Sequence, residues 1–455
     1  MRLAVVSGLA LSSLRTGALP TLLGRQVNEA ERVVDAVQST WQGPTDTLSV
    51  LFIIGGDVVT RAVAQMTGPA IPPVAFSFGW VAYSFAALAN IVGDGRLMPA
   101  PDFAAKVINI HSGVLRSSRS WVLGRLLRDM ERPLGATVAL NVSVYLVTPQ
   151  TPLFWDWCLM SSIAVIVVQL GVAAIPCVLC GDWGVLLVTV IGTLLCLCTG
   201  ALPQWRLEKY SGRRDRAKVV ALTGGNGSRD VLVIVNPGYG VDLEDLAAAH
   251  IPQHRHALNR LRDSIQGGHS GSADSGTSED TSVRTDRAIF GVPVGLRLTQ
   301  FICVVFTSAW IALLITVEAL NMQPWYLLLV GGLGMLQNVV VAGAKRTPAA
   351  HGIPLTLVEE ITRSKVMHAL MDVEVAYPTL GRVLLGEFFS AASIQQDERD
   401  WWNGDRKRYN AQRTPETVVE DAGNPGSVTA NVRKHFHEPA KLKVLAGSAI
   451  EGGCR

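Results

Sequence analysis

Charge is what this chain has little of. Only 17% of its 455 residues are Asp, Glu, Lys or Arg, against 49% hydrophobic residues, and its mean hydropathy is +0.29. That balance sets aside an ordinary soluble protein and predicts a membrane protein. The net charge of +3 is too small to imply a nucleic-acid partner. Disulfide-forming cysteine is scarce as well. Of the seven cysteines, six lie in or beside apolar runs and Cys454 sits on a tail, which excludes a disulfide framework. Cys177 and Cys180 have metal or redox spacing, but no second pair or histidine partner follows, so no metal is expected. The string GGNG at 224–227 is not followed by Gly-Lys-Ser/Thr, so it is not a phosphate loop. His250, His254 and His256 cluster with irregular spacing beside a Ser/Gly-rich stretch, a poor setting for a metal site.

What the chain does have is hydrophobic length. Apolar runs at 48–66, 74–92, 155–178, 183–202, 298–317 and 325–341 predict six membrane spans in three hairpins. The turns expected near Gly68, Gly181 and Asn321 lack Lys and Arg, and the segments on the other side are rich in them. That asymmetry places both termini in the cytosol, with an endomembrane such as the endoplasmic reticulum as the expected location. The expected organisation is an N-terminal cytosolic segment (1–44), hairpin 1 (45–92), a cytosolic loop (93–154), hairpin 2 (155–205), a β-hairpin and disordered loop (206–292), hairpin 3 (293–344) and C-terminal helices with a tail (345–455). The fold class is therefore mainly α, a polytopic transmembrane bundle with a smaller cytosolic α+β portion.

Smaller features fill in this plan. MRLAVVSGLALSSLRTG has the basic residue and apolar core of a signal peptide but is too short to span. Residues 21–41 read as a polar helix, and 114–130 as an arginine-rich amphipathic helix, either in the headgroup plane or packed on a cytosolic domain. Val138–Val147, Val219–Leu222 and Val231–Val235 read as strands of one sheet, because isolated hairpins are marginal in water. Helices are expected over 355–373 and 378–389. Gly331, Gly332 and Gly334 would let a neighbouring helix approach the last span closely.

Charges inside the first span draw attention. Asp57 and Arg61 are four residues apart and so share a helix face, and burying them in hydrocarbon costs about 2.5–3.5 kcal/mol per charge unless protein or water meets them. A dense aromatic series, Phe76, Phe78, Trp80, Tyr83 and Phe85, follows on the second run.

The strings GGDVVTRAVAQ, PVAFSFGWVAY, VGDGRLMPAPD, WVLGRLLRD, QLGVAAIP, GDWGVLLVTVIGTLL, GALPQW, LTGGNGSRDVLVI, GMLQN and KVMHALMDVEVAYP together resemble a family of multi-pass membrane proteins of filamentous fungi. Some members are encoded in secondary-metabolite gene clusters, and one group looks like the macrophorin-type integral membrane terpene cyclases. FFSAASIQQDE departs from the FFPG-like turn expected of that family, which bears on where its soluble end stops. The resemblance implies a metal-independent, cofactor-free cyclase that protonates an alkene or epoxide of a prenylated small molecule. Such chemistry needs a neutral carboxylic acid in a dry pocket and aromatic faces to stabilise carbocations. The candidate acids are Asp57, Asp94, Asp102, Asp156, Asp182 and Glu318, with Arg61 beside the first, and the candidate substrate walls are Phe76, Phe78, Trp80 and Tyr83. Neither an aspartate-rich motif nor DxDD occurs, so Mg²⁺-dependent ionisation is not expected. The alternative is a non-catalytic transporter or a scaffold for pathway enzymes. A polar route could then run past Asp57, Arg61, Gln169, Gln337 and Asn338.

Overall fold

A computed structural model describes residues 55–149, 156–213, 216–249, 288–289, 292–319, 324–390 and 392–413. Expectations for the N-terminal segment, the histidine cluster, the Ser-rich loop and the C-terminal tail lie outside the described residues.

The chain runs α1 (Gly56–Met66), α2 (Trp80–Gly93), β1 (Lys106–Asn109), β2 (Leu115–Ser117), α3 (Trp121–Met130), β3 (Leu140–Val147), α4 (Trp157–Cys180), α5 (Gly184–Gly200) and α6 (Pro203–Lys209). It continues through β4 (Ala217–Thr223), β5 (Asp230–Pro237), α7 (Leu243–Ala248), a two-residue ribbon β6 (Ala288–Ile289) and β7 (Val292–Pro293), α8 (Val294–Ala319) and α9 (Pro324–Gly343). After a 3₁₀ turn at Pro348–His351 come β8 (Leu355–Arg363), α10 (Val366–Ala376), α11 (Leu380–Phe388), α12 (Gln396–Trp402) and α13 (Arg406–Gln412).

Among the described residues, Trp157–Cys180, Gly295–Val317 and Pro324–Gly343 are long and apolar enough to cross a membrane. Gly184–Gly200 and Pro203–Lys209, bent by 41°, make a fourth crossing if taken together. At 1.5 Å per residue, the 24 residues of α4 reach about 36 Å, enough for a bilayer core.

The first expected hairpin takes a different form. Its described part is an 11-residue helix, an extended segment from Thr67 to Gly79 and a 14-residue helix. Pro69, Pro72 and Pro73 explain why no helix runs through the middle, since each lacks a donor and constrains its predecessor. Gly68, expected in an outer turn, lies at the sheet end of the bundle instead. The neighbouring Thr67 carbonyl accepts from Lys209 Nζ at 2.6 Å, and Lys209 closes α6.

The sheet has the order β2-β1-β4-β5-β3-β8, with β3 and β5 parallel and all other pairs antiparallel. The three segments expected to pair therefore do lie side by side. The membrane-length helices are insertions in this sheet: α4 and α5 lie between β3 and β4, and α8 and α9 lie between β5 and β8. Alternation along β5 sends Leu232 and Ile234 into a core continuous with the bundle, α3 and α7. Val231, Val233 and Val235 face a second core with Leu370, Tyr377, Leu384 and Trp401 of α10 to α12. Both faces are covered, which is why β5 is buried along its whole length.

The expected helix over 355–373 is a correction. Leu355–Arg363 is a strand and the helix begins at Val366, because LTLVEEIT completes an eight-residue ladder with β3. Of the two settings open for the arginine-rich segment, the structure gives packing on protein: Trp121, Val122, Leu123, Leu126 and Leu127 of α3 are buried in the first core.

Candidate functional site

The extended segment determines the bundle's centre. From the sheet end it passes Pro72 against Gly200 of α5. It then places Phe76 against Gly192 of α5 and Gly334 of α9, and Phe78 against Gly331 of α9. At each of these positions a side chain on the glycine would collide with its neighbour. The stripe on α9 is thus a seat for an extended chain. Gly332 meets nothing.

Exposed peptide groups at such a depth need protein partners, because lipid offers none. They find them in the polar residues of the long helices. Gln169 Nε2 on α4 donates to the carbonyls of Phe76 (2.7 Å) and Val330 (2.8 Å), and Asn338 Nδ2 on α9 donates to the Ala75 carbonyl (3.1 Å) and Ser77 Oγ (3.0 Å). Gln337 Nε2 reaches Ser161 Oγ at 2.9 Å and Ser162 Oγ at 3.2 Å, tying α9 to α4. The chain then turns back as α2, whose Ile91 carbonyl accepts from Gln300 of α8 at 3.2 Å.

Aromatic rings fill the space so enclosed. Trp310 of α8 stacks on Phe76 (centroids 6.2 Å apart) and on Trp80 (5.8 Å), Trp80 meets Tyr83 edge-on (5.1 Å), and Tyr83 stacks on Trp205 of α6 (6.5 Å). All five are essentially inaccessible. Phe76, Trp80 and Tyr83 are therefore brought together, Phe78 is buried against Gly331, and Phe85 is half-exposed.

The expected acids do not join them. Asp57 and Arg61 pair at 3.1 Å, but their side chains are 73% and 45% exposed on the outer face of α1. Asp94 follows the end of α2 and is exposed, and Asp182 accepts from the Gly184 amide at 2.9 Å at the start of α5. Glu318 is in the last turn of α8, its side chain outside the described residues.

Asp102 and Asp156 belong to a second feature that the sequence did not reveal, a buried ionic collar where bundle meets sheet. Two helix ends are closed there by cations. At α1, Lys209 Nζ donates to the carbonyls of Ala64 (2.8 Å), Gln65 (3.2 Å) and Thr67, and Arg346 also donates to Gln65 (2.5 Å). At α9, Arg125 donates to Ala342 (2.8 Å) and Arg128 to Ala344 (2.7 Å). Cations at helix C-termini meet orphan carbonyls and the negative end of the dipole. The counter-ions are Asp102, bidentate on Arg125 at 3.1 and 2.5 Å, and Asp156, which holds Arg346 at 2.6 Å while capping α4 through the Leu159 amide. Asp129 pairs with Arg128 and receives the Arg346 amide (3.0 Å) and His351 Nε2 (2.8 Å). Burial pushes the His351 imidazole down to about 4, against the pull of Asp129, so it is neutral at physiological pH. Burial tends to raise the Asp129 carboxyl, but the bonds from His351, Arg346 and Arg128 outweigh it and hold it below the usual range. Composition could have flagged only Lys209 and Arg346, basic residues closing apolar runs; their partners are 142 to 281 residues away.

No family model, curated protein or solved structure matches the chain.

Proposed function

We propose that the protein is a non-catalytic, membrane-embedded scaffold that holds enzymes of a secondary-metabolite pathway against an endomembrane, its sheet layer in the cytosol. The observation that supports this reading most is the filled bundle centre: the five packed rings and the stitched Ala75–Phe78 backbone occupy the space between the long helices. A rigid collar then transmits the position of the bundle to the sheet, as a platform requires. The pathway assignment rests on the resemblance to fungal cluster-encoded membrane proteins.

One observation favours cyclisation as a second reading. Five electron-rich faces gathered in a dry interior are a suitable lining for a carbocation on a prenyl chain. In that reading the rings must part to admit substrate, and an acid must be brought to them.

A single preparation separates the two. Microsomes containing the full chain are incubated with a prenylated phenol or epoxycyclohexenone, and the same membranes are crosslinked and the tagged protein recovered. A cyclised isomer of unchanged mass establishes the enzyme and overturns the scaffold. Stoichiometric recovery of a pathway prenyltransferase or oxygenase, with no isomer formed, upholds it.

A further inference from the structure

A small cleft, open to solvent, lies beside the collar, where the chain leaving α2 meets the start of α3 and the ends of α6 and α7. Its wall includes Arg96, Arg119, Ser120, Glu208, Lys209 and Ser211, with Met98, Pro99 and Val122 as apolar neighbours. We propose that this cleft binds a phosphate group, and that Arg119, Arg96, Ser120 and Ser211 are its ligands.

Unused donors support the assignment. Among the described residues, the Arg119 guanidinium has no hydrogen bond, ion pair or ring contact; only its backbone amide is engaged, on the Ala247 carbonyl at 2.9 Å. Arg96 donates through one terminal nitrogen to the Ala249 carbonyl at 2.5 Å, which fixes the side chain and leaves the rest of its fork available. Ser120 and Ser211 are at least nine-tenths buried, yet neither hydroxyl has a partner among the described residues. Ser120 precedes α3, a ten-residue helix with no side-chain cap, so the amides of the first turn at Trp121 and Val122 add to the positive potential at the same wall.

The other charges in the wall are already committed. Lys209 Nζ is turned away onto the α1 carbonyls. Glu208, the one acid, has its oxygens held by the amides of Leu97 (2.9 and 3.1 Å) and Met98 (2.6 Å) and by Gln204 (2.5 Å). Glu208 still acts electrostatically on Arg96, whereas the Arg119 guanidinium has no carboxylate partner among the described residues. A monoester or diester phosphate matches the fork geometry of two arginines and accepts from hydroxyls and helix amides together. Two sources offer this chemistry, a free phosphate compound and a phospholipid headgroup, and the apolar neighbours provide an exit for acyl chains in the second case.

The test uses the full chain in dodecyl maltoside and reads the thermal unfolding midpoint during titration with inorganic phosphate or with short-chain phosphatidic acid, phosphatidylcholine serving as control lipid. Ligand that binds the folded state raises the midpoint saturably. A rise with phosphatidic acid alone assigns a lipid headgroup, and a rise with both ligands or with phosphate alone assigns a free phosphate compound; each upholds the site. Arg119→Gln removes no structural bond and is expected to weaken apparent affinity about tenfold, the loss of one charge-assisted hydrogen bond. Ser211→Asp, which puts a negative charge in the wall, should abolish the response, and Arg132→Gln, on the cation paired with Glu360, should keep it. No saturable rise in the wild type, equal responses in wild type, Arg119→Gln and Ser211→Asp, or an equal loss in Arg132→Gln overturns the proposal. Failure here leaves the scaffold reading untouched, since that reading does not use the cleft.

Discussion

Lys209 shows what single residues contribute in this molecule. Its side chain is almost fully buried, and it donates three hydrogen bonds to carbonyls at the end of α1. Lys209→Met keeps the volume and removes the donors; leaving those carbonyls unpaired should cost about 2–4 kcal/mol, seen as a thermal midpoint lower by several degrees in detergent. Exposed Arg61→Gln should shift it by less than a degree or two, because an exposed pair is worth little. His351 gives a pH signature. Its folded pKa, about 4, lies below the ordinary value of 6.5, so between those limits the unfolded chain binds more protons than the folded one. Stability is complete above about pH 6.5 and is lost as pH falls toward 4, by on the order of 3 kcal/mol. Asp129, held low, carries the loss further in the same direction once pH drops below the carboxylate range. Asp129, Lys209 and Arg346 are the charged groups acting on the imidazole. His351→Gln should therefore flatten the midpoint-against-pH curve in that window; an unaltered slope would assign it to other groups.

At the scale of elements, legibility in the sequence followed how local the determining contacts are. β4, β5 and the turn between them could be read from β-branched alternation broken by glycines, and Gly225 and Gly227 do adopt positive φ in that turn. β8 could not, because Leu355–Arg363 contains good helix formers and becomes a strand only by pairing with β3, more than 200 residues earlier. The first hairpin misled for the same reason: hydropathy reports that Val74–Phe78 is buried but not that its backbone is extended, and Gln169 and Asn338, which make that conformation tolerable, sit on other helices. For the candidate site, the aromatic series was legible as a cluster because its members are close in sequence, whereas its partners Trp205 and Trp310 and the whole collar were not. Gly331 and Gly334 of α9 were read correctly as a close approach, with an extended segment in place of the expected helix, while Gly332 meets nothing. A graded test follows. Gly334→Ala sets a methyl against the Phe76 backbone carbonyl, which cannot move without breaking the Gln169 bond, so it should be the worst of the series. Gly331→Ala meets the Phe78 ring, which can turn, and should cost less. Gly332→Ala meets nothing and should be neutral or stabilising by a few tenths of a kcal/mol. Yield of monodisperse protein and its thermal midpoint should rank the three in that order.

For the whole molecule, the sheet is the frame and the long helices are mounted on it. Each pair leaves one strand of the frame and returns to another, so the start of α4 and the ends of α5 and α9 gather at the collar while Gly181 marks the opposite end. The first hairpin joins the collar through Gln65, whose side chain donates to the Ala344 carbonyl at 3.1 Å, and through Thr67. Its turn therefore lies at the sheet end of the bundle, and is expected on the sheet's side of the membrane, although a count of hydrophobic runs places it on the other. Labelling of single cysteines in sealed vesicles distinguishes the two arrangements, using Ala70→Cys beside that turn and Gly181→Cys at the far end, both exposed, and the partly buried Ser228→Cys in the β4–β5 turn. An extended segment that enters and turns back within the bundle puts Ala70 and Ser228 on one side and Gly181 on the other. Two complete crossings before α2 ends would put Ala70 with Gly181, and that outcome would require Lys209 and Arg346 to release the end of α1, where they now donate to the carbonyls of Ala64, Gln65 and Thr67. Removing those donors costs several kcal/mol, so Ala70 is expected to label from the same side as Ser228.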